Sequence, residues 1–298
     1  MDLKKYISAK RSVINKALEN HLTNYTLSRR LREPMAYSVA AGGKRLRPVL
    51  CLASCEAVGG RPDDAMTPAC ALEMIHTYSL IHDDLPALDD DRMRRGSPTC
   101  HVRFNEALAV LAGDGLLNTA FELLADWALD EEVPGPDVHA RLEVIRTIAR
   151  AAGCSGMIEG QARDLEFEGR QIDIDALEEM HRLKTGAMIR AAVVSGALIG
   201  GADNRRLECL DTYSYNIGLA FQVVDDILNV VGDPAVLGKA VGTDSRRNKN
   251  TYPALLGLEG ARQKASELVE AALIALRTFG ERAEPLRALA LYILERNR

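Results

Sequence analysis

Apolar residues recur every three or four positions along much of the chain, which has 298 residues. The segments 140–152 and 261–278 show this spacing, and no long stretch alternates apolar and polar residues with a period of two. The first spacing places apolar side chains on one face of an α-helix, whereas a period of two is typical of a strand. Glycine and proline clusters, such as those at 59–62 and 133–136, separate the helical segments. We therefore predict an all-α fold of roughly ten or more helices.

No break between these segments is long enough to be an interdomain linker, so we expect one domain over residues 1–298. The longest irregular segment runs from Gly232 to Thr251, and loops of that length are usually functional or disordered. Hydrophobic residues make up 47% of the chain and charged residues 27%, which excludes disordered and fibrous proteins.

The cellular compartment is predicted from three absences. The longest uncharged run, Thr212 to Val224, is shorter than the roughly 18–20 apolar residues that span a bilayer, so we expect no membrane span. The start of the chain resembles neither a signal peptide nor a transit peptide, which favours a cytoplasmic location. The six cysteines form no CxxC pair, so we expect reduced core thiols.

The net charge of -5 argues against a nucleic-acid partner.

An acidic cluster follows an apolar helical segment, in the sequence HDDLPALDDDRMRRG at 82–96. Pro86 is expected to kink or loosen the helix just past the first two aspartates, which would bring Asp83, Asp84 and Asp89 together. Clustered carboxylates repel each other unless a cation lies between them, and Mg2+ commonly bridges carboxylates and a substrate phosphate. The arginines that follow suit phosphate oxygens. A solvated charged turn is the alternative, and it explains neither the apolar helix nor the arginines.

A second acidic segment, FQVVDDILN at 221–229, lies within an apolar helix. Gln222, Asp225, Asp226 and Asn229 are spaced i, i+3, i+4 and i+7, which places them along one helical face. Two adjacent carboxylates among apolar residues are costly without a counter-ion. The alternative is a surface stripe whose apolar neighbours face the core.

A basic segment, GGKRLRP at 42–48, combines two glycines with cationic side chains. The glycines permit close approach of the backbone to a ligand, and Lys44 and Arg47 are able to reach an anion. The order of residues is not that of a P-loop. By itself, this motif is better explained as a solvated helix start.

Isolated lysines at 184, 239 and 249 carry little weight by themselves, and Gln161 and Asp164, one helical turn apart, are predicted to be a structural pair. The chain has neither GxSxG nor HExxH. Two carboxylate clusters for a divalent metal and several basic sites for anions fit diphosphate chemistry, because both stabilise the charge on a departing diphosphate.

The blocks GGKRLRP, HTYSLIHDDLPALDDDRMRRG, GQARDL, HRLKTGAMIRAA, GLAFQVVDDIL and TYPALLGLE resemble those of the trans-isoprenyl diphosphate synthases, most specifically the bacterial farnesyl diphosphate synthases. The resemblance implies an isoprenoid synthase fold, with a central cavity between two facing walls of aspartates. It implies that three Mg2+ ions, with Mn2+ as a possible substitute, draw the diphosphate off dimethylallyl or geranyl diphosphate. Isopentenyl diphosphate then attacks the carbocation, and farnesyl diphosphate results. The resemblance also implies a homodimer.

The matching motif positions imply a role for each site residue. Metal ligands are Asp83, Asp84, Asp89 and Asp225. The isopentenyl diphosphate pocket comprises Lys44, Arg47, His76 and Arg95. The allylic diphosphate is held by Arg94, Lys184, Lys239 and Lys249. The catalytic residues are Lys184, Thr185 and Gln222, of which Thr185 and Gln222 point oxygen dipoles toward the carbocation. Tyr78 and Ser79 form the floor of the chain-elongation cavity.

The sequence departs from the family at Asn229, where the second motif usually ends in Asp, and at 246–248, where a Gly-Lys pair is common. The amide oxygen of Asn229 still has lone pairs that can bind a metal but carries no charge, so we expect metal binding to be weakened rather than abolished. A geranyl or geranylgeranyl diphosphate synthase is the same-fold alternative, distinguished by cavity depth. A terpene cyclase fits less well because the GGKRLRP block is present. A non-catalytic partner subunit remains an alternative because of Asn229.

Overall fold

The computed structural model describes residues 1–25, 28–130, 138–231 and 249–295. Nearly all of these residues are helical, and the strands are one short antiparallel pair. The predicted all-α class is therefore confirmed. Lys239 and the basic cluster at 246–248 lie outside the described residues.

The first part of the chain forms four helices that lead to the acidic cluster. They are α1 (Leu3–Tyr25), α2 (Arg29–Ala40), α3 (Leu46–Val58) and α4 (Met66–Asp83), with a 3-10 helix over Pro62–Ala65 before α4. Helix α4 ends at Asp83, which is earlier than the predicted kink at Pro86. Asp84 caps the helix, and Pro86 lies in the turn that follows.

The middle of the chain begins with strands β1 (Met93–Arg94) and β2 (Ser97–Pro98). Helices α5 (Cys100–Arg103), α6 (Glu106–Leu129), α7 (Val138–Ala152), α8 (Met157–Glu166) and α9 (Ile174–His181) follow. A π-helical turn over Arg182–Gly186 joins α9 to α10 (Ala187–Ile199).

The last part contains α11 (Asn204–Val231), α12 (Tyr252–Ala275), a 3-10 helix over Glu281–Ala283, and α13 (Glu284–Glu295). Gly257 has a φ of 70° and kinks α12 near its start. Helices α11 and α12 pack along each other. This packing fixes which face of α11 meets the interior.

The core surrounds α3, α4 and α10, whose residues are buried on most faces. A helix that is apolar all round is typical of the centre of a protein, because every side finds an apolar neighbour. Helix α4 packs against α6, and α10 packs against α3. The acidic cluster therefore begins where a rigid, buried helix ends.

Helix α6 alone among the described helices is long and apolar enough to cross a membrane. Length and composition are the only grounds for this, and the core helix of a water-soluble protein passes the same test. The six cysteines all fall within described segments and are free thiols. Four of them are buried as predicted, but Cys154 is exposed and Cys209 is half-buried, so the prediction of core thiols is wrong for these two.

Candidate functional site

A cavity of about 830 Å3 opens where α4, α8 and α11 face one another. Its lining combines charged groups with apolar side chains such as Leu117, Met157 and Phe221. Most residues predicted for the site line this cavity: Arg47, His76, Tyr78, Ser79, Asp83, Arg94, Arg95, Lys184, Thr185, Gln222 and Asp225.

The first wall of the cavity is the end of α4 and the turn that follows it. The backbone N–H of Asp89 donates to the carbonyl oxygen of Asp83 at 2.8 Å, which folds the turn back on the helix end. Burial, together with the charge of nearby Asp89, raises the pKa of Asp83 to about 6, although Lys184 opposes the shift. The sequence prediction that Asp83, Asp84 and Asp89 lie near one another is therefore confirmed.

Asp84 and Arg94 form an ion pair across this turn. The guanidinium Nε of Arg94 donates to Oδ1 of Asp84 at 2.7 Å, and Nη2 lies 2.6 Å from the same oxygen. Burial raises the pKa of Asp84 even though Arg94 opposes the shift. Arg94 thus reaches the cavity while it is still paired with a carboxylate.

The second wall is the middle of α11. Asp225 lines the cavity, whereas the adjacent Asp226 is buried, with 3% of its surface exposed. Oδ2 of Asp226 accepts from the backbone N–H of Tyr252 at 3.1 Å, and Oδ1 accepts from Nε2 of Gln222 at 3.0 Å. The predicted single polar face therefore splits, because adjacent residues on a helix point about 100° apart. Asn229 is also buried.

His181 lies behind the second wall, stacked on the Tyr252 ring with the centroids 5.7 Å apart. Its Nε2 is 3.8 Å from Oδ2 of Asp226, which is too long for a hydrogen bond. Burial lowers the pKa of His181 to about 3, so the ring is neutral and does not cancel the charge of Asp226.

The donor set of the cavity suits a hard divalent cation. Carboxylate oxygens from two walls face it, and the raised pKa of Asp83 records how poorly buried, neighbouring carboxylates tolerate their charges without a counter-ion. Within the described residues, no three acidic, histidine or cysteine side chains converge to hold an ion by themselves. Ligands from a substrate phosphate would complete such a site, as is common for Mg2+.

The π-helical turn presents Lys184 and Thr185 to the cavity. Such turns are frequent at functional sites because they insert one residue into the helical ladder. The Thr185 hydroxyl donates to Oε1 of Gln222 at 3.1 Å, which joins two residues predicted to act on the carbocation. Gly160 lets α8 lie close to this turn, since a Cβ at residue 160 would be 2.2 Å from the backbone nitrogen of Lys184.

Asp164 on α8 joins two lysines that are distant in sequence. Its Oδ2 accepts from Lys184 Nζ at 2.6 Å and from Lys249 Nζ at 2.9 Å. Burial alone would raise the pKa of Asp164, but the two lysines lower it to about 2. Lys249 also lies 3.8 Å from Asp89 of the first wall. The sequence pattern predicted only a structural role for Asp164, because local spacing does not reveal its two lysine partners.

The predicted isopentenyl diphosphate residues do not all meet. Arg47, His76 and Arg95 line the cavity together. Burial, then the charges of Arg47 and Arg95, holds the pKa of His76 well below its ordinary value, so the ring is neutral. Lys44 is exposed and lies outside this lining, with its ammonium 5.5 Å from the centroid of the Tyr292 ring.

Tyr78 and Ser79 lie one turn before Asp83 on α4 and line the same cavity. Tyr78 is buried and meets His82 edge to face, with the centroids 5.6 Å apart. Ser79 donates its hydroxyl to the carbonyl of His76 at 2.9 Å. A large aromatic side chain therefore lies one turn below the aspartates.

Known proteins resemble this chain in sequence and in fold. Residues 28–284 match the family model described as polyprenyl synthetase. The chain is 52% identical to a farnesyl diphosphate synthase of Escherichia coli over 89% of each chain. It is 46% identical to a geranylgeranyl diphosphate synthase of Cyanophora paradoxa, over 89% of this chain and 87% of the relative.

A solved structure shows the same fold. It is the substrate-free FPP/GFPP synthase of Zymomonas mobilis, which superposes with a TM-score of 0.86 at 37% identity and covers 98% of this chain and 99% of its own. The matches in sequence and in fold thus extend over almost the whole length of the chain. The chain belongs to the polyprenyl synthetase family and is a trans-prenyltransferase.

Proposed function

We propose that this enzyme condenses isopentenyl diphosphate with dimethylallyl and then geranyl diphosphate to give farnesyl diphosphate. One observation carries the proposal: a single cavity has aspartates and cations at one end and a buried tyrosine one helical turn deeper. The charged end suits two diphosphates, and the apolar interior suits a growing hydrocarbon chain and excludes water from a carbocation.

Asp83, Asp84 and Asp89 on the first wall and Asp225 on the second would hold Mg2+, three ions in all, with Mn2+ as a substitute. When bound, the metal neutralises the charge that develops on the leaving diphosphate. The support is the all-oxygen donor set and the crowding of charge around Asp83.

The side chains of this protein would do the remaining work. Arg94, Lys184 and Lys249 hold the allylic diphosphate, and Asp164 orients the two lysines. Lys239 joins them in this proposal and lies outside the described residues. Arg47, Arg95 and neutral His76 receive isopentenyl diphosphate, and Lys44 would have to turn from Tyr292 to join them.

Thr185 and Gln222, with Lys184 beside them, face the cavity where positive charge develops during ionisation. Oxygen dipoles that are already oriented stabilise such charge without reorganising during the reaction. The double bond of isopentenyl diphosphate then attacks the carbocation, and a proton leaves to the departing diphosphate.

Tyr78 and Ser79 would set the product at fifteen carbons by closing the cavity one turn below Asp83. A geranylgeranyl diphosphate synthase is the second candidate, because one similar relative bears that name. We further propose that residues 1–298 form one domain, that the enzyme is a homodimer, and that it is cytoplasmic.

The test is a product assay. Purified protein, Mg2+, isopentenyl diphosphate and each allylic diphosphate in turn are incubated, and chain length is measured by mass spectrometry. A fifteen-carbon product that chelation abolishes is expected. A longer product would overturn the role of Tyr78 but keep the chemistry. No product with any substrate would overturn the proposal and favour a non-catalytic partner subunit. Light scattering of the same sample tests the dimer, and a monomer would contradict it.

A further inference from the structure

Asp226 stands beside a cavity-lining aspartate but faces the other way. Only 3% of its surface is exposed, and at least two N–H donors fix its carboxylate. One is the backbone N–H of Tyr252, the first residue of α12, at 3.1 Å. This N–H has no partner inside its own helix, so Asp226 satisfies a donor that would otherwise be unpaired.

A second donor is the side-chain amide of Gln222, whose Nε2 lies 3.0 Å from Oδ1 of Asp226. An ionised carboxylate only accepts hydrogen bonds, so the amide must turn its NH2 group toward Asp226. The amide is planar, and its oxygen therefore points the opposite way. There the Thr185 hydroxyl donates to Gln222 Oε1 at 3.1 Å.

We propose that Asp226 is a positioning residue that fixes Gln222 with its carbonyl oxygen, rather than its NH2 group, toward Thr185 and the cavity. The inference rests on the proposed prenyl transfer. It adds the reason why the Gln222 amide presents its oxygen, rather than its NH2 group, to the cavity. If Gln222 were reversed, two N–H donors would face the developing cation, and Thr185 would become their acceptor. The dipole on this wall would then oppose ionisation instead of assisting it.

The substitution Asp226→Asn is expected to reverse Gln222. The Tyr252 N–H still needs an acceptor, so the new amide turns its oxygen there and its NH2 group toward Gln222. We expect kcat to fall about 10-fold to 100-fold, as for other residues that orient catalytic groups, while the KM for isopentenyl diphosphate stays within about twofold.

The matched variant is the double substitution Asp226→Asn with Gln222→Glu. The total charge is unchanged, the new amide donates to one oxygen of Glu, and the other oxygen again faces Thr185. We expect at least about tenfold recovery of kcat relative to Asp226→Asn alone, since the polarity is restored. An unchanged kcat in the single variant, or no recovery in a double variant with an unaltered melting temperature, would overturn the proposal.

Two further measurements separate the competing explanations. If Asp226 were a metal ligand, Asp226→Asn would raise the half-saturating Mg2+ concentration as Asp225→Asn does, and this result would overturn a positioning role. The second measurement is the NMR spectrum of the Gln222 side-chain amide in protein without substrate or metal, assigned by its loss in Gln222→Glu. A hydrogen-bonded, slowly exchanging amide signal that moves in Asp226→Asn is expected.

The NMR measurement does not depend on turnover. If the wild-type enzyme gives no prenyl product, the proposed function fails while the amide signal still decides the orientation of Gln222. If Asp226→Asn does not fold, the wild-type spectrum alone decides, because a freely exchanging Gln222 amide would contradict the contact with Asp226.

Discussion

The two aspartate walls of the cavity are built in opposite ways. The first consists of a helix end and an irregular turn in which Asp90 adopts a positive φ angle. Its carboxylates are crowded, and burial raises the pKa of Asp83 to about 6. The second wall lies in the middle of α11, where Asp225 meets the cavity and Asp226 is tied to α12.

This difference suggests that the two walls have different roles in binding the substrate. A turn of irregular backbone is able to rearrange around an ion and a diphosphate, whereas a packed helix keeps its side chains at fixed angles. The Asp84–Arg94 pair must open before Arg94 gives both its guanidinium edges to a phosphate. We therefore expect the first wall to adapt to the substrate and the second wall to be the fixed reference that aligns it.

The largest effect is expected from removing, on each wall, one carboxylate that we propose to bind metal. Asp83→Ala and Asp225→Ala should each lower turnover by about a thousandfold or more, since a metal ligand contributes several kcal/mol. Asp84 and Asp89 remain on the first wall, whereas Asp225 is the one carboxylate of α11 among the described cavity-lining residues. High Mg2+ should therefore partly rescue Asp83→Ala but not Asp225→Ala in steady-state assays. Equal rescue of turnover in both variants by high Mg2+ would contradict the proposed difference between the two walls.

The second prediction concerns the cluster that joins the walls. Asp164→Asn removes the charge that holds Lys184 and Lys249, and we expect turnover to fall about 10-fold to 100-fold, with a raised KM for the allylic diphosphate. Glu168→Gln is the control, because Glu168 is more exposed and lies 3.8 Å from Lys249. The two variants are compared by steady-state kinetics. Similar losses in both would indicate a general electrostatic effect.

The third prediction tests the depth below the first wall. Tyr78→Ala opens the buried end of the cavity one turn from Asp83, so the ratio of twenty-carbon to fifteen-carbon product should rise at least about tenfold. Tyr78→Phe keeps the ring and should keep the product. Products are measured by mass spectrometry. An unchanged fifteen-carbon product from Tyr78→Ala would refute the proposal that Tyr78 forms the floor of the cavity.

The fourth prediction follows from the pKa of Asp83. A carboxyl group with a pKa of about 6 is mostly ionised at pH 7 and mostly protonated at pH 5, and a proton competes with the metal for its oxygen. The half-saturating Mg2+ concentration should therefore rise about tenfold as the pH falls from 7 to 5. Calorimetric titration measures it. Asp225→Asn should keep this dependence and Asp83→Asn should lose it, and the reverse pattern would assign the proton to the second wall.

The sequence predicts the parts of this architecture that depend on local pattern. Three-to-four-residue spacing predicts the helices, and the run of aspartates after an apolar helix predicts the first wall. Spacing along α11 predicts that Asp225 and Asp226 point about 100° apart, but it does not predict which of them is buried, because the packing of α12 decides this. Only tertiary packing determines such choices between neighbouring residues.

Two other differences also arise from contacts between distant segments. Asp164 meets lysines 20 and 85 residues away, which no local motif reveals. Lys44 lies next to Arg45, whose buried guanidinium is paired with Glu73 at 2.8 Å and whose φ of 50° turns the loop. That anchor directs Lys44 away from the cavity. The two glycines before Lys44 indicated that the backbone could approach a ligand closely, but not in which direction the Lys44 side chain points.

The smallest effect is expected at the second wall, from Asn229→Asp. Asn229 is buried and lies outside the cavity lining, so an added carboxylate there reaches the metal only indirectly. The half-saturating Mg2+ concentration should change by no more than about threefold, while burial of a new charge should lower the melting temperature. Metal titration and thermal unfolding measure the two effects. A large gain in turnover would mean that Asn229 limits catalysis, and the second wall would then be the incomplete one rather than the reference.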